Sequence, residues 1–532
     1  MRPANAIHWI SLLVLTLAAG RAGALECTGR VVLDRDGDGL AGPRERGIAG
    51  VAVADGRTVT RTDRTGRYHF ETQAGRTIQL IKPAGYTVPA RVDGVPDTWS
   101  HVAPTTSPTL RYGGLHTTLP ACRDFVLRRA SPRQGPLEVL LFGDPQPKTS
   151  VDVGHFRRDI VEPLLAAGVD AQLGLTLGDV ASDDLSLLEP VKAQTVRLGV
   201  PWLHVPGNHD LDFDATSDED SLLSYRESFG GDTFAWEEAE AVFVGLDDVI
   251  WRPRSRDYIG GLREDQFEFL RAYLATLPRE RERVLVLAAH IPFFDPRPGV
   301  ETFRRVDRER LFALLAPFPH VLLVTAHGHV QRQYRHGPAD GWHGTSPLPE
   351  FNAGATCGAY WSGRPDAAGI PDSTMADGTP NGYARLRITA GHEPVLSWHA
   401  ARTAGDPRLA LHAPRVLRRG AYPAFGVFAN VWLGDADTKV ELRVDDGAWK
   451  PMQKVDRADP ALQAENAADD LAPLLRGFDR SPEAAASTHL WRGTLPTDLA
   501  AGEHRVEVRA SGYWVGEAGA ATTYRLDEVA DP

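Results

Sequence analysis

The amino-acid sequence predicts a multidomain protein in which a central α/β domain lies between two mainly β domains. The chain has 532 residues, which is too long for a single hydrophobic core. Between about residues 137 and 329, continuous apolar runs alternate with stretches of helical periodicity, the pattern of parallel strands joined by helices. The flanking segments lack this alternation and contain short β-rich runs separated by glycine turns.

Residues 1–24 have the pattern of a signal peptide. Arg2 precedes an apolar run from Ile7 to Ala19, and small residues follow up to Ala24. The run is too short to span a membrane comfortably, so we expect a periplasmic or secreted protein with no membrane span after signal removal. A net charge of −12 argues against a nucleic-acid partner. The sequence does not indicate the oligomeric state.

Residues 25–130 are expected to form a β-sandwich. Regular glycine turns and the absence of a helical period indicate strands at Gly29 to Leu33, Val51 to Ala54, Arg67 to Glu71, Thr77 to Ile81 and Asp124 to Leu127. The phrases at residues 47–53 and 62–68 resemble those of prealbumin-like modules on surface and secreted proteins.

Two cysteines lie near the ends of this segment. In an oxidising compartment Cys27 and Cys122 could form a disulfide, although either could also be a small buried hydrophobe. We favour the disulfide. Cys357 is left without an obvious partner.

An acidic loop in the same segment fits a calcium-binding pattern. Asp34, Asp36 and Asp38 alternate before Gly39, and Glu45 follows six residues after this glycine. No helices flank the loop, so an EF-hand is excluded. An ordinary acidic turn explains the residues equally well, because Asp and Gly are common in turns.

The central domain is expected at residues 134–403, after a linker at 131–136. Helical spacing relates Phe156, Ile160 and Leu164, and it recurs between Leu262 and Leu277. The predicted strands, which should pair in parallel with right-handed crossovers, are Leu137 to Phe142, Gln172 to Leu177, Trp202 to Val205, Val284 to Ala289 and Val321 to Ala326.

Polar side chains with metal-binding chemistry follow each of these five strands. Ligands of open α/β sheets gather beyond the carboxyl ends of the strands, so these groups should meet in space. They are Asp144 and Gln146, then Asp179, then Asn208, His209 and Asp210, then His290, and finally His327 and His329. Their convergence predicts a metal site built from distant parts of the sequence.

In their order and spacing, these motifs resemble the five motifs of the calcineurin-like metallophosphoesterases. The resemblance implies a central α/β sandwich and a metal-dependent phosphoric ester hydrolase, a phosphatase or phosphodiesterase. Such an enzyme hydrolyses phosphomono- or phosphodiesters by attack of a hydroxide that bridges two metal ions. By the same resemblance, the first ion would be bound by Asp144, Gln146, Asp179 and His329, and the second by Asp179, Asn208, His290 and His327. Mixed imidazole, carboxylate and amide ligands suit Mn, Fe or Zn.

One ligand departs from the family pattern, because Gln146 stands where the first motif usually has histidine. An amide oxygen is a poorer donor to borderline metals, so the first ion should bind more weakly. The resemblance also implies that His209 acts beside the scissile bond, by protonating the leaving oxygen or stabilising phosphoryl charge. We expect Asp210 to hold the imidazole in its tautomer.

The chain continues with β-rich segments at residues 350–361 and 383–398. The loop from Asp377 to Tyr383 resembles a signature of bacterial metallophosphoesterases with an additional C-terminal part. Residues 404–532 are expected to form a mainly β accessory domain, although the family's C-terminal module could begin as early as 348. Strands are predicted at Phe425 to Trp432, Lys439 to Val444 and His504 to Arg509, and residues 459–481 as helical or loosely ordered.

Two alternative functions remain open. The protein could be a non-catalytic surface binding or adhesion protein with a degenerate phosphoesterase domain, or a nuclease of the same superfamily. The retention of every other ligand position argues against degeneracy. The acidic composition, which includes no basic tract, argues against a nuclease.

Overall fold

The computed structural model describes residues 24–528 except 103, 105–107, 117–121, 279–282, 298, 392, 404, 406 and 423–424. Residues 1–23, which hold nearly all of the expected signal peptide, lie outside the described residues. Within the described part, no helix is long and apolar enough to cross a membrane. The fold is mixed α/β and β, as the sequence predicts.

The N-terminal segment forms two four-stranded sheets around a core of its own. Side chains of Arg67–Thr72 are alternately exposed and buried, as expected for a strand with one face on a core. The first sheet contains, in spatial order, Arg67–Thr72, Leu25–Leu33, Phe125–Arg129 and Tyr86–Thr87. The second contains Val59–Arg61, Ala52–Ala54, Thr77–Leu80 and Trp99–His101.

A disulfide between Cys27 and Cys122 ties the start of this segment to its last strand. The predicted pairing is therefore confirmed. Cys357 is free and buried.

The central domain contains two larger sheets, each with a run of neighbouring parallel strands that are largely buried. The five-stranded sheet has the order Trp202–Val205, Leu173–Leu177, Leu137–Phe142, Gly382–Ile388 and Val395–Ala400. The six-stranded sheet has the order Phe234–Glu237, Ala241–Gly245, Val284–Ala288, Val321–Thr325, Leu348–Ala353 and Gln331–His336. A separate hairpin pairs Val249–Arg252 with Asp257–Gly260. All five predicted strands of this domain are present, each within one residue of its expected ends.

Helices connect the strands of the central domain. The first is capped by Thr149, whose hydroxyl accepts from the Asp152 amide while the Asp152 carboxylate accepts from the Thr149 amide. Helical segments lie at Ser150–Phe156, Arg157–Val161 (a π-helical turn), Glu162–Ala167, Leu188–Val196, Leu223–Phe229, Glu264–Leu274 and Arg305–Leu315, with short 3₁₀ turns at Leu185–Leu187 and Pro338–Asp340.

The C-terminal segment is mainly β. One sheet contains Leu409–His412, Gly426–Val431, Leu490–Thr494 and Gln453–Lys454. The other contains Val416–Arg418, Gly516–Asp527, Gly502–Gly512, Lys439–Val444 and Lys450–Pro451, and a small pair joins Arg457–Ala458 to Ala486–Ser487. The acidic stretch after Asp459 forms a helix at Pro460–Asp470, begun by the Asp459 side chain.

A buried polar network joins this segment to the central domain. Asp377 accepts from His489 Nε2 at 3.0 Å and from the Gln331 amide at 2.8 Å. The opposite nitrogen of His489 lies 2.7 Å from Asn430 Oδ1, and the Asn430 amide group donates to the Asp377 carbonyl. Because every partner is buried and hydrogen-bonded, the network fixes how the two parts pack.

Candidate metal centre

All seven expected ligands lie in one buried cluster at the carboxyl ends of the parallel strands. They form two groups that share Asp179 through direct contacts of its two carboxylate oxygens. The cluster therefore has the arrangement expected at a sheet edge where several strands end.

In the second group, His290 is central. Its Nε2 lies 3.3 Å from Asp179 Oδ1, 3.1 Å from Asn208 Oδ1 and 3.2 Å from His327 Nδ1. Neighbouring ligands of an ion with bonds of about 2.1 Å lie roughly 3.0 Å apart, so this spacing suits a single divalent ion. Ligand atoms of Asp179, His290 and His327 all lie within 4.8 Å of one another.

The first group contains two buried oxygens that lack hydrogen-bond partners among the described residues, Asp144 Oδ1 and Gln146 Oε1. Asp144 Oδ1 lies 3.6 Å from His329 Nε2, and the Gln146 amide nitrogen donates to Asp179 Oδ2 at 3.1 Å. A buried acceptor without a partner costs free energy of about 1–3 kcal/mol, and a cation between these oxygens would satisfy both. The residues of this group therefore also fit an ion.

Backbone carbonyls orient two of the histidines. His290 Nδ1 lies 2.8 Å from the Leu177 carbonyl, and His329 Nδ1 lies 2.7 Å from the Gly358 carbonyl. A carbonyl only accepts, so each Nδ1 carries a proton and each Nε2 faces the cluster, where it would bind an ion in its neutral form. No sequence motif includes Gly358, so its contact with His329 could not be predicted from the sequence.

The ligand loops are strained and closely packed. Five of the seven ligands have positive φ angles, which non-glycine residues rarely adopt: Asp144 (42°), Gln146 (38°), Asp179 (49°), His327 (70°) and His329 (48°). Two positions in these loops leave no room for a side chain. A Cβ on Gly178 would lie 2.4 Å from His290 Nδ1, and a Cβ on Gly207 would lie 2.2 Å from Asp179 Oδ1. Such strain is concentrated where side-chain placement matters most.

Burial and neighbouring charges shift the pKa values of the ligands in different directions. Burial raises the pKa of Asp144, and it lowers the pKa of His327 to about 3 and that of His329 to about 4. Those two imidazoles are therefore neutral at pH 7, the form that binds metals. Burial also disfavours the charge of His290, but the Asp179 carboxylate outweighs it and raises the pKa of His290 to about 10.

His209 is held by a different carboxylate from the one expected. Its Nδ1 lies 2.6 Å from Asp183 Oδ1, so the expected pairing with Asp210 is wrong. Asp210 is fully buried and instead accepts hydrogen bonds from three backbone amides, those of Val180, Ala181 and Gly207. It thereby fastens the Asp179 loop to the Asn208 loop, while Asp183 orients the imidazole.

The acidic loop of the N-terminal segment brings Asp34, Asp36 and Asp38 within 4.8 Å of one another. However, the Asp34 carboxylate already pairs with Arg128 at 2.6 Å, and Glu45 accepts from backbone amides of the same loop. Calcium binding there stays a prediction.

Comparison with known proteins gives two matches to family models. The model described as "N terminal of Calcineurin-like phosphoesterase" matches residues 36–112, and "C terminal of Calcineurin-like phosphoesterase" matches residues 350–516. These segments match the N- and C-terminal domains of calcineurin-like phosphoesterases. The matched segments contain none of the seven expected ligands, which all lie between them in the sequence.

Two solved structures resemble the chain weakly. A dimetal phosphatase from Danio rerio is 14% identical over 49% of this chain and 99% of its own, with a TM-score of 0.33. The purple acid phosphatase PPD1 from yellow lupin (Lupinus luteus) seeds is 14% identical over 66% of this chain and 67% of its own, with a TM-score of 0.37. These similarities are too weak to assign a role to any residue of this chain. A comparison with curated proteins finds no match.

Proposed function

We propose that this protein is an exported dinuclear-metal phosphoesterase that hydrolyses phosphomonoesters or phosphodiesters. The observation that carries the proposal is the convergence of seven ligand side chains in two groups that share one carboxylate, Asp179. Two bound divalent ions would activate a water and neutralise the phosphoryl oxygens. Mn, Fe and Zn suit this mixture of imidazole, carboxylate and amide ligands.

The chain's own groups would position the substrate and transfer a proton. The His209 amide donates to Asp179 Oδ1 at 2.9 Å, so the imidazole is fixed relative to the shared carboxylate. With Nδ1 directed at Asp183, Nε2 is free to donate a proton to the leaving oxygen. The His209 side chain is about one-third exposed, which leaves room for a substrate.

Export is supported by two independent features. The sequence of residues 1–24 is typical of a signal peptide, and the Cys27–Cys122 disulfide is of the kind that persists in oxidising compartments.

The proposal is tested by removing and restoring metal. Purified protein should lose hydrolysis of phenyl phosphate or bis(4-nitrophenyl) phosphate after chelation and regain it with added Mn. Asp179→Asn should abolish turnover with an unchanged circular dichroism spectrum, because the shared carboxylate is lost while the strands are untouched. Asp446→Asn, an exposed aspartate in the C-terminal segment, is the matched control and should keep activity. Full activity of Asp179→Asn would overturn the proposal.

A further inference from the structure

Lys148 is an exposed cation at the rim of the metal centre with no ion-pair partner among the described residues. It follows Gln146 by two residues, and its ammonium lies 4.8 Å from the centre of the Tyr360 ring. Lys82 and Lys192, by contrast, are buried and bonded to carboxylates. Lys148 is therefore held in place by an aromatic ring while its charge stays available.

The position of Tyr360 is itself imposed by the fold. Its ring stacks on His329 with a centroid distance of 4.3 Å, so His329 and Lys148 both lie against it. Tyr360 and Trp361 have consecutive positive φ angles of 56° and 55°. A hydrogen bond holds this strained backbone in place, because the Trp361 indole donates to the Pro145 carbonyl at 3.0 Å. Pro145 lies in the sequence between two ligands of the first group, Asp144 and Gln146.

The loop that carries Lys148 contacts the loop that orients His209. The Ser182 amide donates to the Pro147 carbonyl at 3.1 Å, which joins the loop before Lys148 to the loop that carries Asp183. Asp183 is the carboxylate that pairs with His209. A leaving group that takes its proton from His209 would therefore lie near the loop that carries Lys148.

We propose that Lys148 recognises a second anionic group, a carboxylate or phosphate, on the leaving part of the substrate. This inference rests on the proposed function, and it narrows the substrate class to phosphoesters with a negatively charged leaving group. In the proposed reaction the metal ligands would surround the scissile phosphoryl group, so the ammonium beyond them would meet the group attached to it. A charge-assisted contact of this kind, partly shielded by Tyr360, corresponds to about a 5–50-fold preference.

The test compares phenyl phosphate with 3-carboxyphenyl phosphate, whose leaving phenols have similar acidity, in protein supplied with Mn. Wild type should show a higher kcat/KM for the carboxylated substrate, mainly through KM. Lys148→Gln should reduce this ratio about 5–50-fold, Lys148→Arg should retain most of it, and Tyr360→Leu should lower it in part. Lys450→Gln, an exposed lysine in the C-terminal segment, is the matched control and should leave the ratio unchanged.

Calorimetric binding of phenylphosphonate and 3-carboxyphenylphosphonate gives a readout that does not need turnover. If wild type hydrolyses neither ester nor bis(4-nitrophenyl) phosphate, the proposed function fails, and the binding preference alone then decides the role of Lys148. A binding or kcat/KM ratio that is the same in wild type and Lys148→Gln overturns the inference. A ratio that falls in Lys148→Gln but not in Lys450→Gln supports it.

Discussion

Replacing Asp183 with asparagine tests whether an oriented His209 protonates the leaving oxygen. The substitution preserves size and removes the charge 2.6 Å from the imidazole. Hydrogen bonds to charged groups contribute about 1.5–3 kcal/mol, which corresponds to a factor of roughly 10–150 in rate. Because the Asp183 side chain is 58% exposed, solvent screening places the expected loss of kcat/KM near the lower end, at about tenfold.

The assay compares phenyl phosphate with 4-nitrophenyl phosphate. Phenolate is the more basic leaving group and depends more on a proton donor, so Asp183→Asn should slow phenyl phosphate hydrolysis more than that of the nitrophenyl ester. His209→Ala should show the same selectivity with a larger loss, about 10²–10⁴-fold for phenyl phosphate. Asp184→Asn is the matched control, since Asp184 accepts from Ser186 rather than from His209.

Equal losses for the two substrates would show that His209 does not act as an acid toward the leaving group. Unchanged kinetics of Asp183→Asn would refute the orienting role of the carboxylate. The melting temperature of each variant is measured in parallel, because a comparable loss of stability would give another reason for lower activity.

Three further predictions follow from the same structure. Gln146→His should raise the affinity of the first site for Zn or Fe by about 10–100-fold, measured as metal content after dialysis, and two tightly held equivalents in both proteins would contradict the weak-ligand argument. Denatured, unreduced protein should react with one equivalent of a thiol reagent, and folded protein with less, because Cys357 is free but buried; three reactive thiols would exclude the disulfide. His489→Leu should lower the free energy of unfolding by about 2–4 kcal/mol, because Asn430 Oδ1 loses its hydrogen-bond partner and Asp377 Oδ2 keeps only the Gln331 amide; an unchanged denaturation midpoint would show that the network is not stabilising.

The sequence was sufficient to predict the parallel strands of the central sheets and the ligands at their edge. A buried parallel strand is a local signal, because both of its faces are apolar and the run of Val and Leu is continuous. The residue that follows such a run must lie near the carboxyl end of its strand. The order of the motifs was therefore enough to predict Asp144, Asp179 and His290 as metal ligands, without knowledge of the packing.

The partner of His209 could not be found in this way. Asp210 is adjacent in sequence, but its side chain turns inward to accept from backbone amides of two loops. Asp183 reaches the imidazole from another loop, with a φ of 65° that no spacing rule anticipates. Sequence proximity indicated the wrong carboxylate because side-chain direction depends on the turn.

The way in which later parts of the chain complete the centre depends on contacts between residues far apart in the sequence. Gly382–Ile388 pairs antiparallel with Leu137–Phe142, so a strand some 240 residues away extends the first sheet. Tyr360 comes to lie on His329, and Lys148 on Tyr360, through a strained loop whose hydrogen bonds span more than 200 residues. Contacts of this kind leave no periodic trace in the sequence, because they are set by the packing of already formed elements rather than by the local preferences of the residues that make them.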